Sequence, residues 1–195
     1  MSPKPALMRD DRGATLVEFA LIAPVLLMLL LGMFEMGYNY YMQSQLQGAV
    51  QKAARDSTVQ AVAGNTDAID AKVSAAVHVI VPDARLTFSR RAYSSFSDVH
   101  RAEDYTDIDK NGACNDGEPF EDANGNGMWD QDRGKDDMGG ARDAVLYTVT
   151  VSYPRAFPVM KLLGFSDTVS TTARTVLRNQ PYGPQNKTVP VGNCT

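Results

Sequence analysis

The hydrophobic pattern of the chain begins with a long apolar run near the N-terminus. From Ala14 to Tyr41 only Glu18 and Glu35 carry a charge, and apolar side chains occupy every face of the helix that this run predicts. About 20 apolar residues suffice for a helix to cross a membrane. The pattern therefore predicts one membrane-spanning helix that begins at Ala14.

The residues that follow predict that this helix continues beyond the membrane. Small residues on one face let another element approach closely, and the sequence Ala63-Gly64-Asn65 predicts the end of the helix. Small or apolar side chains recur at intervals of three and four residues, the period of one helix face, at Leu46, Ala49, Val50, Ala53, Ala54, Ser57 and Ala61.

The remaining pattern predicts a small α+β head. A second helix is expected from the apolar face between Ile69 and Ile80, and Pro82 ends it. Strands are expected at 85–93, 144–153 and 167–178, and in the second of these apolar and polar residues alternate as in a half-buried strand. We therefore expect an α+β fold in which a long N-terminal helix packs on a small antiparallel sheet.

The distribution of basic residues predicts the orientation of the membrane span. Lys4, Arg9 and Arg12 precede the apolar run, whereas no basic residue follows it before Lys52. Positive charges stay on the cytoplasmic side, so we expect the N-terminus in the cytoplasm and the rest of the chain exported. A secretory signal peptide is the alternative, but no A-x-A-like cleavage site follows the run.

The formal net charge of −4 is distributed unevenly. Between Glu103 and Asp143 there are thirteen Asp or Glu and four Lys or Arg, a local net charge of −9. No Lys/Arg-rich run suits nucleic acid, so a nucleic-acid partner is not expected. The histidines His78 and His100 belong to no known catalytic pattern, and we expect no enzymatic activity.

The acidic insertion contains a sequence typical of a calcium-binding loop. Residues 107–118, DIDKNGACNDGE, fit the pattern D-x-[DN]-x-[DN]-G-x5-E at every defined position. Calcium takes about six to eight oxygen ligands, which alternate residues of a tight loop can supply. The alternative is a disordered acidic loop that holds no ion. The expected ligands are the side chains of Asp107, Asp109, Asn111 and Glu118 and the carbonyl of Ala113.

A second and weaker match, DANGNGMWDQDR, spans residues 122–133. The closing position holds Arg133 instead of an acid, so a second calcium ion requires Asp132 or an acid from the first loop to complete the site. We therefore expect one calcium ion and leave the second open. The expected ligands of the second loop are Asp122, Asn124, Asn126, the carbonyl of Met128, and Asp130.

The two cysteines are consistent with an exported protein. Cys114 lies inside the first loop and Cys194 is the penultimate residue. Two cysteines in an exported chain favour a disulfide, which requires their Cα atoms to come within about 7 Å. Two free cysteines, or a bridge to another chain, are the alternatives.

The charged residues of the apolar run need an explanation, because an ionised side chain deep in a bilayer costs about 2.5–3.5 kcal/mol. Cleavage after Gly13 would make Ala14 the N-terminus and place its α-ammonium one helical turn from Glu18. The alternatives for Glu18 are Arg12, six residues upstream, as its partner, or an incidental glutamate in an ordinary single-pass anchor. Glu35 is expected either at the lipid interface or against a basic group of a partner subunit.

These N-terminal residues carry a family resemblance. Residues 12–25, RGATLVEFALIAPV, resemble the class III signal of type IV pilins, in which prepilin peptidase cuts after a glycine on the cytoplasmic side. Together with GMFEMG at residues 32–37, the segment is similar to TadE-like pseudopilins of the tight-adherence (Tad or Flp) pilus system. The resemblance implies a pilin-like fold, cleavage between Gly13 and Ala14, and an assembly role for Glu18.

The resemblance also implies a function and a location. A non-enzymatic minor pilin or pseudopilin would have prepilin peptidase, other pilins, inner-membrane Tad assembly proteins and membrane lipid as partners. It would cross the bacterial inner membrane once with a periplasmic head, and incorporation into an extracellular pilus is left open. A permanently anchored, calcium-dependent adhesin or envelope binding protein is the alternative. The expected divisions are a leader (1–13), a transmembrane and extended helix (14–63) and a head (64–195) with an acidic calcium-loop insertion (103–143).

Overall fold

The computed structural model describes residues 13–60, 66–140, 142–157, 159–162, 164–178 and 188–195. The leader before Gly13 and the predicted helix end at residues 63–65 lie outside the described residues. The elements are α1 (Ala14–Gln60), α2 (Thr66–His78), β1 (Arg85–Tyr93), a 3-10 turn (Phe96–Asp98), β2 (Pro119–Glu121), β3 (Ala144–Pro154), α3 (Val159–Leu162), β4 (Thr168–Arg178) and β5 (Val191–Asn193).

The strands form two sheets. A three-stranded sheet has the order β1-β3-β4, and β2 pairs with β5 in a two-stranded sheet. In the antiparallel β1–β3 ladder Arg85 lies opposite Ser152 and Tyr93 lies opposite Ala144. The predicted α+β fold, with a long N-terminal helix and a small antiparallel sheet, is confirmed, whereas the β2–β5 pair was not expected from the sequence.

The chain divides into two compact units. The first consists of the N-terminal segment as far as Met42 together with residues 154–169, and the second consists of residues 43–153 and 170–195. Helix α1 contributes to both units, because residue 42 lies inside it. Its two halves are therefore in different surroundings.

In the second unit, the C-terminal half of α1 packs as part of a conventional hydrophobic core. The predicted small-residue stripe is buried there at Leu46, Val50, Ala53 and Ala54, and the Gln47 side-chain amide donates a hydrogen bond to the backbone carbonyl of Arg174 in β4 (3.4 Å). The side chains of Ser57 and Ala61 lie outside the described residues. Helix α2 buries Ile69, Val73 and Val77, and strand β3 buries Val145, Tyr147, Val149, Val151 and Tyr153.

A polar cluster fixes α2 against the sheet. The Tyr147 hydroxyl donates to Asp70 Oδ1 (2.7 Å), and the Arg90 guanidinium pairs with the same carboxylate oxygen. The guanidinium carbon of Arg90 lies 4.7 Å from the centre of the Tyr147 ring. Burial and the Asp70 carboxylate raise the pKa of Tyr147, so the hydroxyl stays protonated and keeps donating.

In the first unit, the N-terminal half of α1 exposes its apolar side chains. Leu16, Phe19 and Leu21 are 74%, 67% and 73% exposed. This helix is long and apolar enough to cross a membrane once. The apolar surface has no cover within the described part of this unit, as expected for side chains that face lipid or other helices.

Glu35 is buried in the first unit, and its partner there is an arginine of the same chain. Its side chain is 1% exposed, and its Oε1 pairs with the guanidinium of Arg155 from the same chain. The Arg155 Nε also donates to the carbonyl of Ser166 (2.6 Å). Glu35 Oε2 is buried without a hydrogen bond from any residue that the structure describes. The chain therefore neutralises this acid itself, and Arg155 ties residues 154–169 to α1.

We expect Arg155→Ala to release this segment. Removing one partner of a buried ion pair costs about 3–5 kcal/mol, because the other charge stays buried without compensation. Lys161 in the same segment is exposed, so endoproteinase Lys-C should cut after Lys161 faster in the variant, in full-length protein in detergent micelles. Arg174→Ala, which removes an exposed arginine of β4, is the matched control. Wild-type resistance in the Arg155 variant would contradict this role of the ion pair.

Candidate functional site

The structure brings together three of the predicted ligands of the first loop. Carboxylate oxygens of Asp107, Asp109 and Glu118 lie within 4.8 Å of one another. Glu118 is buried and Asp109 is exposed, so the cluster opens to solvent on one side. A cation that binds oxygen suits such a cluster, because the mutual repulsion of the carboxylates becomes attraction to the ion.

Backbone amides of the same loop hold the first acid in place. Asp107 Oδ1 accepts from the amide of Asn111 (3.1 Å) and Oδ2 accepts from the amide of Gly112 (2.9 Å). Gly112 has a φ of +79°, a conformation that glycine adopts without steric cost. A second side chain of the loop also accepts from a backbone amide, since Asn111 Oδ1 accepts from the amide of Ala113 (2.7 Å).

The Asn111 amide group lies beside the carboxylates. Its Nδ2 donates to Asp109 Oδ2 (2.7 Å) and to Asn115 Oδ1 (3.3 Å). Rotating an asparagine amide by half a turn exchanges its nitrogen and oxygen at almost the same positions. That rotation would direct the Asn111 oxygen toward the carboxylates, at the loss of the hydrogen bond from the Ala113 amide.

The second loop repeats the backbone arrangement of the first. Asp122 Oδ1 accepts from Asn126 (3.0 Å) and Oδ2 accepts from Gly127 (2.9 Å), the fifth and sixth positions of the loop, as in the first loop. Asn126 Oδ1 accepts from the amide of Met128 (2.7 Å). The remaining acid, Asp130, accepts through Oδ2 from the side-chain amide of Asn124 (2.7 Å). The weaker sequence match thus has the same local geometry.

The closing acid of the first loop bonds to two of its backbone amides. Glu118 Oε1 accepts from the amide of Ile108 (2.5 Å) and Oε2 accepts from that of Asn115 (3.4 Å). These are the second and ninth positions of the loop. One carboxylate thereby joins the start of the loop to its end.

Glu103 makes the equivalent bonds in the second loop. Its Oε1 accepts from the amide of Ala123 (2.8 Å) and its Oε2 accepts from that of Asp130 (3.0 Å), again the second and ninth positions. Glu103 is 2% exposed and precedes both loops in sequence. It is not one of the acids that the sequence suggested for this position.

The two residues considered at the end of the second loop have other partners. Asp132 Oδ2 accepts from Arg91 Nη1 (2.7 Å) and from the Tyr93 hydroxyl (3.2 Å). Arg133 is directed to carboxylates outside the loop, with Asp104 at 3.1 Å and Glu121 at 3.2 Å. Both side chains therefore fix the loop to its surroundings.

The surroundings of Glu103 shift its pKa. Burial raises the pKa of Glu103 above its usual value, hydrogen bonds from backbone amides lower it in part, and the neighbouring Asp122 carboxylate raises it again. The folded loop therefore binds the Glu103 proton more tightly than the unfolded chain does. Without a cation, this group's contribution to stability is lost as the pH rises through its raised pKa.

Trp129 connects the second loop to the residues before the first. Its Nε1 donates to the backbone carbonyl of Glu103 (2.8 Å), and its ring packs edge-on against Tyr105 with the ring centres 5.6 Å apart. Since Trp129 is the one tryptophan in the sequence, its fluorescence reports on the contact between Glu103 and this loop.

The predicted disulfide between Cys114 and Cys194 is present. The two Cα atoms are 5.3 Å apart. The backbone on either side is also paired, since Cys194 donates to the carbonyl of Glu118 (2.8 Å) and accepts from the amide of Gly117 (3.0 Å). The bridge therefore attaches β5 to the first loop beside its closing acid.

The residues predicted for processing and assembly lie at the start of α1. Gly13 and Glu18 are exposed, and the helix begins at Ala14. No ion pair joins Glu18 to any described residue, in contrast to Glu35. The structure thus places the carboxylate of Glu18 on the open surface of the apolar helix.

Comparison with known proteins supports the resemblance in this region. Residues 13–55 match the family model described as TadE-like protein, which confirms the predicted resemblance over this segment. No curated protein and no solved structure matched the chain. The matched segment consists of Gly13 and most of α1. It does not include the sheets or the two acidic loops.

Two important residues were missed by the sequence analysis. Glu103 completes the second loop from a position upstream of both loops, and Arg155 pairs with Glu35 across 120 residues of sequence. No spacing pattern connects either residue to its partner. The only available signals were that Glu103 is the first acid of the insertion and that Arg155 precedes an apolar turn.

Proposed function

We propose that this protein is a TadE-like minor pilin or pseudopilin that takes part in assembling a Tad-type pilus. The observation that carries the proposal is the family match over residues 13–55, which includes Gly13, Ala14 and Glu18. The function is structural and non-enzymatic. Before assembly the protein is stored in the bacterial inner membrane, with the N-terminus in the cytoplasm and the head in the periplasm.

Processing would convert the leader into an assembly signal. Prepilin peptidase cuts after Gly13, and the new α-ammonium of Ala14 then lies one helical turn from Glu18. An ionised carboxylate in a bilayer costs about 2.5–3.5 kcal/mol, so a cation within reach is strongly favoured. The amine of the same chain, or that of a neighbouring pilin, supplies this cation.

The open apolar surface of α1 provides the contact with partners. Side chains such as Phe19 and Leu21 are exposed and require lipid in the membrane or the helices of other pilins in an assembly. Helices in lipid associate through close packing and polar contacts, because lipid is as apolar as the side chains. The Glu18–amine pair would give this packing its register. Other pilins and inner-membrane Tad assembly proteins are the expected partners.

We further propose that the head binds calcium at the two acidic loops. The first site would use Asp107, Asp109, Asn111, Glu118 and the Ala113 carbonyl. The second would use Asp122, Asn124, Asn126, Asp130 and the Met128 carbonyl, with Glu103 as its closing acid. The equivalent hydrogen bonds of Glu118 and Glu103 to the two loops support a pair of related sites. Calcium would order residues 103–143, a segment that lies outside the family match.

A second candidate function is a permanently anchored, calcium-dependent adhesin or envelope binding protein. The observation that favours it is that the acidic insertion lies entirely outside the family match. Such a protein would need neither leader cleavage nor a helix that packs into a pilus. The mature N-terminus separates the two candidates.

We expect mass spectrometry of the protein from pilus-producing cells to find Ala14 as the first residue, with or without a methyl group on its amine. Gly13→Leu should block the cut, because the peptidase requires a small residue there, and Gly32→Leu is the matched control. A Cβ built at Gly13 or Gly32 meets no atom within 4 Å, so neither substitution should disturb the fold. An intact Met1 or Ser2 terminus in piliated cells would contradict the pseudopilin proposal.

We expect calcium to reduce the quenching of Trp129 fluorescence by acrylamide in the full-length protein. We also expect it to slow the proteolysis of residues 103–143. Extracellular sites have a Kd of about 10⁻⁴–10⁻³ M, so one site at about 1 mM calcium stabilises the folded state by about 0.4–1.4 kcal/mol. Magnesium should have less effect, because it requires a rigid octahedral site and keeps its waters.

Two conservative variants separate the calcium sites. Glu103→Gln should remove the calcium response of Trp129, whereas Glu118→Gln should leave it and weaken protection of the first loop. Asp116→Asn changes an exposed acid at a non-ligand position and is the matched control. Equal protease sensitivity in calcium and in chelator would contradict metal binding. Retention of the Trp129 response in Glu103→Gln would contradict the role of Glu103.

A further inference from the structure

The connection between β3 and β4, residues 155–167, is unusually apolar for a surface loop. Its sequence is RAFPVMKLLGFSD, in which the charges are those of Arg155, Lys161 and Asp167. Lys161 Nζ pairs with Asp167 Oδ2 (2.9 Å), and Arg155 pairs with Glu35. Phe165 is 59% exposed in spite of its size. The connection thus combines paired charges with an uncovered aromatic ring.

The shape of the connection is fixed by local hydrogen bonds. The amide of Phe165 donates to the carbonyl of Met160 (2.9 Å), and that of Gly164 donates to the carbonyl of Lys161 (3.0 Å). Gly164 has a φ of +84°, which permits the tight turn after α3. Phe165 is therefore exposed although the turn that carries it is held by backbone hydrogen bonds.

Its contacts place the connection at a defined level along α1. The Phe34 and Phe157 rings pack with their centres 6.3 Å apart, and the next residue of the helix, Glu35, pairs with Arg155. From Thr15 to Glu35 a helix rises about 30 Å, which equals the thickness of the hydrocarbon core of a bilayer. A helix that enters the membrane at Thr15 therefore leaves it where the connection is attached.

We infer that the β3–β4 connection lies in the outer interfacial region of the same membrane, with Phe165 in contact with lipid. The inference rests on the membrane crossing proposed above. Aromatic and apolar side chains insert about 5–10 Å into the boundary between head groups and acyl chains, and lysines beside them extend their amines toward water. The Arg155–Glu35 pair removes the net charge from the part of the connection nearest the hydrocarbon. The connection then sets the depth of α1 in the bilayer.

Depth-dependent fluorescence quenching tests this placement in the full-length protein. In a Trp129→Phe background, single tryptophans are introduced by Phe165→Trp, Leu26→Trp or Phe96→Trp, and each protein is placed in phosphatidylethanolamine–phosphatidylglycerol vesicles containing brominated lipids. Leu26 is in the middle of the apolar run and tests the crossing itself, whereas Phe96 is an exposed aromatic residue of the second unit. All three replace exposed apolar side chains.

We expect lipids brominated near the head groups to remove most of the Phe165→Trp emission, and lipids brominated deep in the acyl chains to quench Leu26→Trp. Phe96→Trp should keep its emission. Quenching at Leu26 without quenching at Phe165 would overturn the inference and leave the membrane crossing intact. Absence of quenching at Leu26 would overturn both. Equal quenching at Phe96 and Phe165 would contradict the role of the connection in setting the depth of α1, because the head as a whole would then lie on the lipid.

Discussion

The cost of a charge in an apolar environment is the constraint on which the account of this protein depends. The apolar run of α1 contains two acids, and the chain treats them differently. Glu35 is buried under residues 154–169 and paired with Arg155, so its charge is compensated within the chain. Glu18 is exposed on the helix and has no ion-pair partner among the described residues. Within the described part of the chain, the two acids of α1 therefore have different surroundings.

The same constraint organises the acidic insertion. Carboxylates at close range repel one another, and the chain offsets this with backbone amides that each loop directs at its first acid. In each loop a glutamate accepts hydrogen bonds from backbone amides at the second and ninth positions. Glu118 belongs to the first loop itself, whereas Glu103 lies outside the second. The disulfide from Cys114 to Cys194 and the β2–β5 pair then tie the insertion to the C-terminal strand. Polar contacts of this kind fix the insertion along much of its length.

How much the sequence predicted depends on the range of the interactions. The spacing of apolar residues identified α1, α2 and β3, because it is a local property of the sequence. Helices bury every third or fourth residue, and half-buried strands bury alternate residues. The calcium-loop pattern similarly predicted that Asp107, Asp109 and Glu118 would meet. The Glu103 closure, the Arg155–Glu35 pair and the β2–β5 ladder were not predicted. Each joins residues that are distant in sequence, and only the fold decides which of several acids or arginines comes within reach.

A comparison of Glu18→Gln with Glu35→Gln in pilus-producing cells tests whether the two acids of α1 have different roles. Both variants remove one negative charge from α1 and keep the shape of the side chain. We expect Glu18→Gln to be inserted in the membrane and cut after Gly13 but not to be crosslinked to other pilins. Glu35→Gln should still be crosslinked, with faster Lys-C cleavage after Lys161. Wild-type crosslinking and piliation in Glu18→Gln would contradict the account.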